Sequence, residues 1–330
     1  MAGPLGRYVP PGPLGCGGAP LGNLFRSLPD IEAHAALDAA WDSGVRHFDT
    51  APFYGFGLSE HRFGAALRPR PRDAFTLSTK VGRLLTPSAS PARERFNFVD
   101  GLPFAVRFDY TADGAKRSIE DSLQRLGMDR IDVAYIHDIS EDTHGSAWRE
   151  AFDAAMAGAA VALTRLRDEG VIRAWGLGVN LVEPCLLALE AADPDVFLLA
   201  GRYTLLDPGA LDTLLPHCAA RGVSVVIGSP YNSGLLAGGD TFNYAPATPG
   251  LIARRDRLAA VCHRHGVDLR SAALQFCAAH PVVAAVIPGG RSASEVQSNA
   301  ALMAAQTPAD LWTELRNLGL IPASAPVPAG

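Results

Sequence analysis

The feature that most constrains this chain is a recurring pair: a short apolar run without polar alternation, then a longer run at helical spacing. The short runs are Leu14–Pro20, Val45–Thr50, Phe75–Val81, Ile131–His137, Trp175–Asn180, Val196–Tyr203, Val223–Ser229 and Val283–Pro288. A strand covered on both faces reads in this way, and parallel strands are so covered. Helical patterns fill the spaces. Ile31–Ser43 follows the start signal Pro29-Asp30, Ala115–Leu126 stops at Gly127, and Ala151–Glu169 stops at Gly170. Pro208–Ala220 follows Asp207 as N-cap, and Leu251–His265 stops at Gly266. Repeated β-then-α units predict a parallel sheet. Eight of them predict a single-domain (β/α)8 TIM barrel, with a doubly wound sheet as runner-up. The domain spans residues 1–320. Residues 82–110 form an insertion read as loop from Pro87, Pro91 and Pro103, and 321–330 form a loose Pro/Ala-rich tail.

Composition excludes other classes. With a net charge of −5 the chain is no obvious nucleic-acid binder. No apolar run is long enough to span a membrane, and the N-terminus lacks a signal-peptide pattern, so a cytoplasmic protein is expected. The five cysteines form no CxxC, which predicts reduced thiols and no metal site. Oligomeric state is left open between a monomer and a small homo-oligomer. One bias is useful. Of the 29 basic residues only Lys80 and Lys116 are lysine, so a lysine inside an apolar run is unlike the background.

Barrel active sites lie at the C-terminal ends of strands. The second run ends at Asp49, the third at Lys80 and the fourth at His137-Asp138, with Tyr54 just beyond Asp49. Taken singly, a strand-end Asp is often a cap, a His a satisfied core group and a Tyr packing. On three consecutive strands the four form a set with a chemical logic. An Asp lets a Lys be buried, and the Lys lowers the phenol's pKa below its usual value of about 10. The Tyr then serves as general acid or base, and the His orients the substrate oxygen.

These residues resemble a known family, the aldo-keto reductases. Asp-Thr-Ala-Pro-x-Tyr-Gly at 49–55, Ser-Thr-Lys at 78–80 and Ile-His-Asp at 136–138 match its catalytic tetrad. Ser229-Pro230 with Ser233-Gly234-Leu235-Leu236 resembles its cofactor loop, and Ile287-Pro288-Gly289 with Asn299 its adenosine end. The resemblance implies a nicotinamide cofactor across the barrel mouth, hydride transfer, and Asp49, Tyr54, Lys80 and His137 as the catalytic residues. It assigns cofactor binding to Gly18, Asn180, Ser229, Pro230, Gly234, Leu235, Ile287, Gly289, Arg291 and Asn299. Phe53, Tyr54 and His137 would meet the substrate, together with the 82–110 insertion and the segment after Asp138.

Departures narrow the reading. The family's usual Gln before Tyr203 is Ala200, and a nicotinamide-stacking aromatic is replaced by Gly228, for which Tyr231 is a possible substitute. A basic residue used by many NADPH-dependent members is Glu295, which would repel a 2′-phosphate; Arg291 weighs the other way. The expected cofactor is NAD, with NADP as the alternative. Ala19–Phe25, Phe108–Tyr110, Arg125–Asp132 and Ala200–Leu206 resemble one branch, the sugar 1-dehydrogenases (D-threo-aldose or L-fucose, and L-galactose) and pyridoxal 4-dehydrogenase. That branch implies oxidation of an aldose at C1 to the aldonolactone, or of pyridoxal to 4-pyridoxolactone. A general NADPH-dependent carbonyl reductase and a cofactor-sensing partner subunit, like the potassium-channel β subunits that share the fold, are the alternatives.

Overall fold

The structure, a computed structural model, describes residues 6–89 and 91–328. Eight parallel strands follow one another around a barrel: β1 (Cys16–Gly17), β2 (His47–Asp49), β3 (Thr76–Val81), β4 (Val133–His137), β5 (Ala174–Val179), β6 (Val196–Ala200), β7 (Ser224–Gly228) and β8 (Val283–Ile287). Parallel bridges from Leu14 to Val286 and from Gly17 to Gly289 bring the last strand against the first. β1 is shorter than its apolar run because glycines let it press onto its neighbours. A Cβ on Gly15 would lie 2.5 Å from the Ile287 side chain, and one on Gly18 would lie 2.7 Å from the Asp49 carbonyl oxygen.

Helices follow the strands, with three departures from the sequence pattern. The one expected over 151–169 begins at Trp148 and carries a π-turn at Met156–Ala160. There the helix lies against the Tyr110 backbone, and the Ala159 amide donates to the Tyr110 carbonyl at 2.9 Å. Such an inserted residue is a known way to release one amide from the helical ladder. The helix expected from Pro208 starts only at Leu214, because Asp207 turns the chain, accepting from the Gly209 amide at 3.2 Å and from Arg202 Nη1 at 2.9 Å. The described part of the tail is not loose. Ile321 and Ala325 are buried, and Arg316 Nη2 donates to the Ala325 carbonyl at 2.6 Å.

The insertion is likewise not a loop. Arg83–Pro87 pairs antiparallel with Phe104–Phe108, and Glu94–Arg95 pairs with Phe98–Val99. Its prolines misled because Pro87 ends a strand, while Pro103 precedes the partner strand and its carbonyl accepts from the Ser88 amide at 2.9 Å. A third small hairpin, Thr241–Phe242 with Ala245–Pro246, follows β7. Two hairpin tips carry aromatics in left-handed backbone, Phe96 (φ 51°) and Tyr244 (φ 64°).

Inside the barrel one wall is polar and the other apolar. His47, Asp49, Thr76, Ser78, Lys80 and His137 come from β2, β3 and β4 and are all buried. Opposite them Val196, Leu198, Val226, Ala285 and Ile287 pack with Tyr8, which enters from the N-terminal segment. The Ser224 hydroxyl donates to the Tyr8 carbonyl at 2.6 Å, fixing that plug at the starting ends of the strands. The barrel is therefore closed below, and its accessible chemistry lies at the other end.

Candidate active site

Asp49 ends β2, and its two carboxylate oxygens have separate partners. Lys80 Nζ donates to Oδ2 at 2.7 Å and the Ser78 hydroxyl to Oδ1 at 2.7 Å. Lys80 Nζ also donates to the Thr50 carbonyl at 2.9 Å. The pair is only 1–2% exposed, so each charge needs the other. The site can hold a lysine because β5 carries glycine opposite it: a Cβ on Gly178 would come within 3.3 Å of Lys80 Cε.

Tyr54 closes the group. Lys80 Nζ lies 4.7 Å from its ring centroid, and the His137 ring lies 5.8 Å away at a steep angle. The four tetrad residues therefore converge as the strand order predicted. The electrostatic expectation for Tyr54 does not hold in the ligand-free cleft. Burial, then the charges of Asp49 and Asp138, push the phenol well above 10, with Arg83 opposing. Burial is the largest cause, and the ammonium of Lys80 that was expected to oppose it is hydrogen-bonded to Asp49 instead. Here Tyr54 holds its proton. His137 is kept neutral for a related reason: burial, then Arg83 and Lys80, hold its pKa well below 6.5.

Two cavities meet at this point. The first, about 780 Å³, is lined by Phe53, Tyr54, Lys80, His137, Asp138 and the insertion residues Arg83, Arg95, Phe96, Phe98 and Phe108. Asp142 and Asn180 form part of its rim. Its aromatic wall is built around Phe53, whose ring meets Phe56, Phe96, Phe98 and His137 edge-on at 5.4–6.0 Å. The second cavity, about 670 Å³, is a trough over the ends of β7, β8 and β1. Gly18, Ser229, Pro230, Gly234, Ile287, Gly289, Arg291 and Asn299 line it. Tyr54 and Tyr244 belong to both walls.

Several expected cofactor residues stand elsewhere or are committed. Leu235 is fully buried in the core beneath the trough. Asn180 lines the first cavity, where its Nδ2 donates to Asp142 Oδ2 at 3.0 Å. Tyr231 lines the trough; its hydroxyl donates to Asn299 Oδ1 at 2.8 Å, and Asn299 Nδ2 donates to the Gly289 carbonyl at 3.3 Å. Glu295 Oε2 accepts from the Arg291 amide at 2.8 Å, and Ser292 caps the helix Ala293–Ala304 beside it. The Arg291 side chain turns back to the Leu24 carbonyl at 3.3 Å, and its buried Nε has no partner.

Sequence reasoning placed Arg83 and Arg95 in a substrate-facing insertion without singling them out, and it missed Tyr244 and Arg270 as cavity residues. Arg270, in the trough, is paired with Asp268 at 2.7 Å. Only Arg83 carried a usable signal, two residues beyond Val81 on the strand that ends in the lone buried lysine. The other three sit in hairpins and helices whose relation to the barrel mouth is tertiary.

A nicotinamide dinucleotide fits the trough. Glycines 17, 18 and 289 let the segments beneath it pack closely, the unpartnered Arg291 Nε needs an acceptor, and the helix N-terminus after Ser292 favours an anionic group. Comparison with known proteins agrees. The profile of the Aldo/keto reductase family matches residues 13–319. The D-threo-aldose 1-dehydrogenase of a Pseudomonas species is 42% identical over 320 residues, covering 94% of each chain. The pyridoxal 4-dehydrogenase of Microbacterium luteolum is 42% identical over 322 residues, covering 93% of this chain and 94% of that protein. Among solved structures, the holo form of aldo-keto reductase AKR11C1 from Bacillus halodurans superposes with a TM-score of 0.67 at 26% identity, covering 94% of this chain and 95% of that one.

Proposed function

Since the chain belongs to the aldo/keto reductase family, oxidoreductases that use NAD(P)H, we propose that it oxidises an aldose at C1 to the aldonolactone with NAD as cofactor. The observation that carries this reading is the meeting of two cavities at Tyr54. One is a trough over the ends of β7, β8 and β1, suited to a dinucleotide. The other combines an aromatic wall with the polar rim of Asp138, Asp142 and Asn180. Aromatic faces take the C–H faces of a sugar ring, and carboxylates and amides take its hydroxyls.

The bound dinucleotide supplies the two-electron acceptor for the C1–H bond. The protein manages the proton. The substrate's anomeric hydroxyl approaches Tyr54, and His137 donates a hydrogen bond to the same oxygen. Tyr54 must first yield its proton, and Lys80, backed by Asp49, meets the charge that then develops on the phenolate. The hydroxyl proton passes to Tyr54 and the ring carbon becomes the lactone carbonyl, while the C1–H electrons with their hydrogen would be taken up by a bound dinucleotide. Glu295, at the adenosine end, favours a ribose hydroxyl over a 2′-phosphate, which supports NAD over NADP.

A second reading is pyridoxal oxidation to 4-pyridoxolactone through the cyclic hemiacetal. The Phe53-centred aromatic wall and the Microbacterium relative favour it, and the chemical step is the same. Initial rates with NAD+ and NADP+ against L-fucose, L-galactose, D-arabinose and pyridoxal separate the two. Absence of turnover on all four, alongside NADPH-driven aldehyde reduction, would replace both with a general carbonyl reductase. Tyr54→Phe should abolish oxidation, and a wild-type rate in that variant would overturn the site.

A further inference from the structure

Asp138 follows His137 directly, and in a regular strand consecutive side chains point to opposite faces. Both nevertheless line the first cavity. The cause is Asp138's left-handed backbone (φ 49°), while its amide stays in register, donating to the Gly178 carbonyl at 2.9 Å. The turn brings Oδ2 to 3.3 Å from His137 Nε2. Arg83 Nη2 donates to the same oxygen at 2.5 Å, and its guanidinium lies 3.9 Å from the Phe53 ring centroid. Arg83 is only 5% exposed, an unusual position for an arginine unless it is paired.

The geometry sets the imidazole's tautomer. His137 Nδ1 is buried without a partner, whereas Nε2 faces a carboxylate oxygen. No hydrogen bond joins the two at 3.3 Å, but a carboxylate this near disfavours a lone pair on Nε2 and so favours the tautomer protonated there, leaving that proton for the cavity. A bare Asp138 carboxylate would also attract a second proton onto the ring.

We propose that Arg83 and Asp138 are a positioning pair: the Asp138 carboxylate beside Nε2 favours the tautomer protonated there, and Arg83 neutralises that carboxylate so that the imidazole remains a neutral donor whose proton is free for the substrate. The inference rests on the tetrad reading for its catalytic consequence, but the imidazole's state is measurable without substrate. The other polar and charged groups around His137 are Tyr54, Lys80, Tyr110 (whose hydroxyl donates to the His137 carbonyl at 3.1 Å), Asp142, His144, Asn180 and Tyr244. Arg83 is the cation that contacts Asp138 directly.

The test is a pH series on the full-length protein with Arg83→Gln, Arg83→Lys, Asp138→Asn and the double variant Arg83→Gln/Asp138→Asn. Two readouts are used: the His137 imidazole ¹⁵N resonances without substrate, and kcat/KM with NAD+ and the aldose turned over by the wild type. In Arg83→Gln the imidazole should titrate at least one pH unit higher than in the wild type, and the acid limb of kcat/KM should move with it. Arg83→Lys should restore the wild-type titration while raising KM. The double variant, which removes both charges and spares the fold an unpaired carboxylate, should return the titration toward the wild type. If Arg83→Gln leaves the titration unmoved, or the double variant remains shifted, the pairing is wrong. A shifted titration with an unchanged acid limb would instead remove His137 from the reaction while keeping the pair.

Discussion

Lys80 offers the sharpest test, because arginine is the chain's habitual cation and would keep the charge at this position. The space around Nζ is closed by Asp49 Oδ2 at 2.7 Å, the Thr50 carbonyl at 2.9 Å and the Tyr54 ring at 4.7 Å. Gly178 leaves only a narrow gap, since an added Cβ would stand 3.3 Å from Cε. A planar guanidinium is larger than an ammonium and needs several coplanar partners. Inserting it forces a displacement costing about 1–3 kcal/mol, and it falls on the reacting group itself. Proton transfer by a positioned group contributes roughly 10²–10⁴-fold. Lys80→Arg should therefore lose at least about 10² in kcat/KM while folding. Lys80→Met should lose more and also leave Asp49 buried without its cation, at about 3–5 kcal/mol. For a chain of this size that lowers Tm by roughly 4–7 °C. Lys116 is exposed on the helix Ala112–Leu126, and Lys116→Arg should stay within about twofold of the wild type. The assay is nicotinamide absorbance on the three purified variants, with thermal melts beside it. Equal activity in Lys80→Arg and Lys116→Arg, or an unchanged Tm in Lys80→Met, would refute the reasoning.

Three further outcomes follow from the same geometry. Tyr54 is pushed well above 10, so it is an acid throughout the ordinary range: kcat/KM for oxidation should climb with pH up to the alkaline limit while that for carbonyl reduction stays flat, and an oxidation plateau near neutrality would contradict this. Burial depresses His47 to about 4, so the unfolded chain takes up this proton first; stability present above about pH 6.5 is lost as pH falls toward 4, by at most roughly 3 kcal/mol. Urea melts of the wild type and His47→Gln should converge across that window, and parallel curves would count against it. Glu295→Gln removes one negative charge from the adenosine end and should improve use of NADP+ relative to NAD+ by roughly five- to tenfold, read from the ratio of kcat/KM values.

The barrel and its tetrad were legible because each rests on a local signal. Continuous apolar runs mark strands buried on both sides, and strand ends place Asp49, Lys80 and His137 on adjacent neighbours. What escaped depends on backbone that the residue type does not announce. Asp138 joins His137 at the cavity only through a positive φ, and Phe96 and Tyr244 reach it from hairpin tips of the same kind. The insertion read as loop because prolines weigh against strands, yet here one lies at a strand's end and another just before its partner. The charge on Tyr54 failed for a different reason. Pairwise reasoning credited Lys80 to the phenol and left out burial, the largest cause of its raised pKa.

The Tyr8 plug also bears on the traffic of the reaction. With the barrel floor filled by that side chain and the apolar wall above it, the two cavities that reach Tyr54 both lie at the other end. Each turnover of the proposed oxidation releases a proton at the same mouth that admits the sugar and lets the lactone go. If Tyr54 loses its proton only after the lactone leaves, solvent viscosity and a deuterium solvent should slow the same step, and an effect of one without the other would separate the two events.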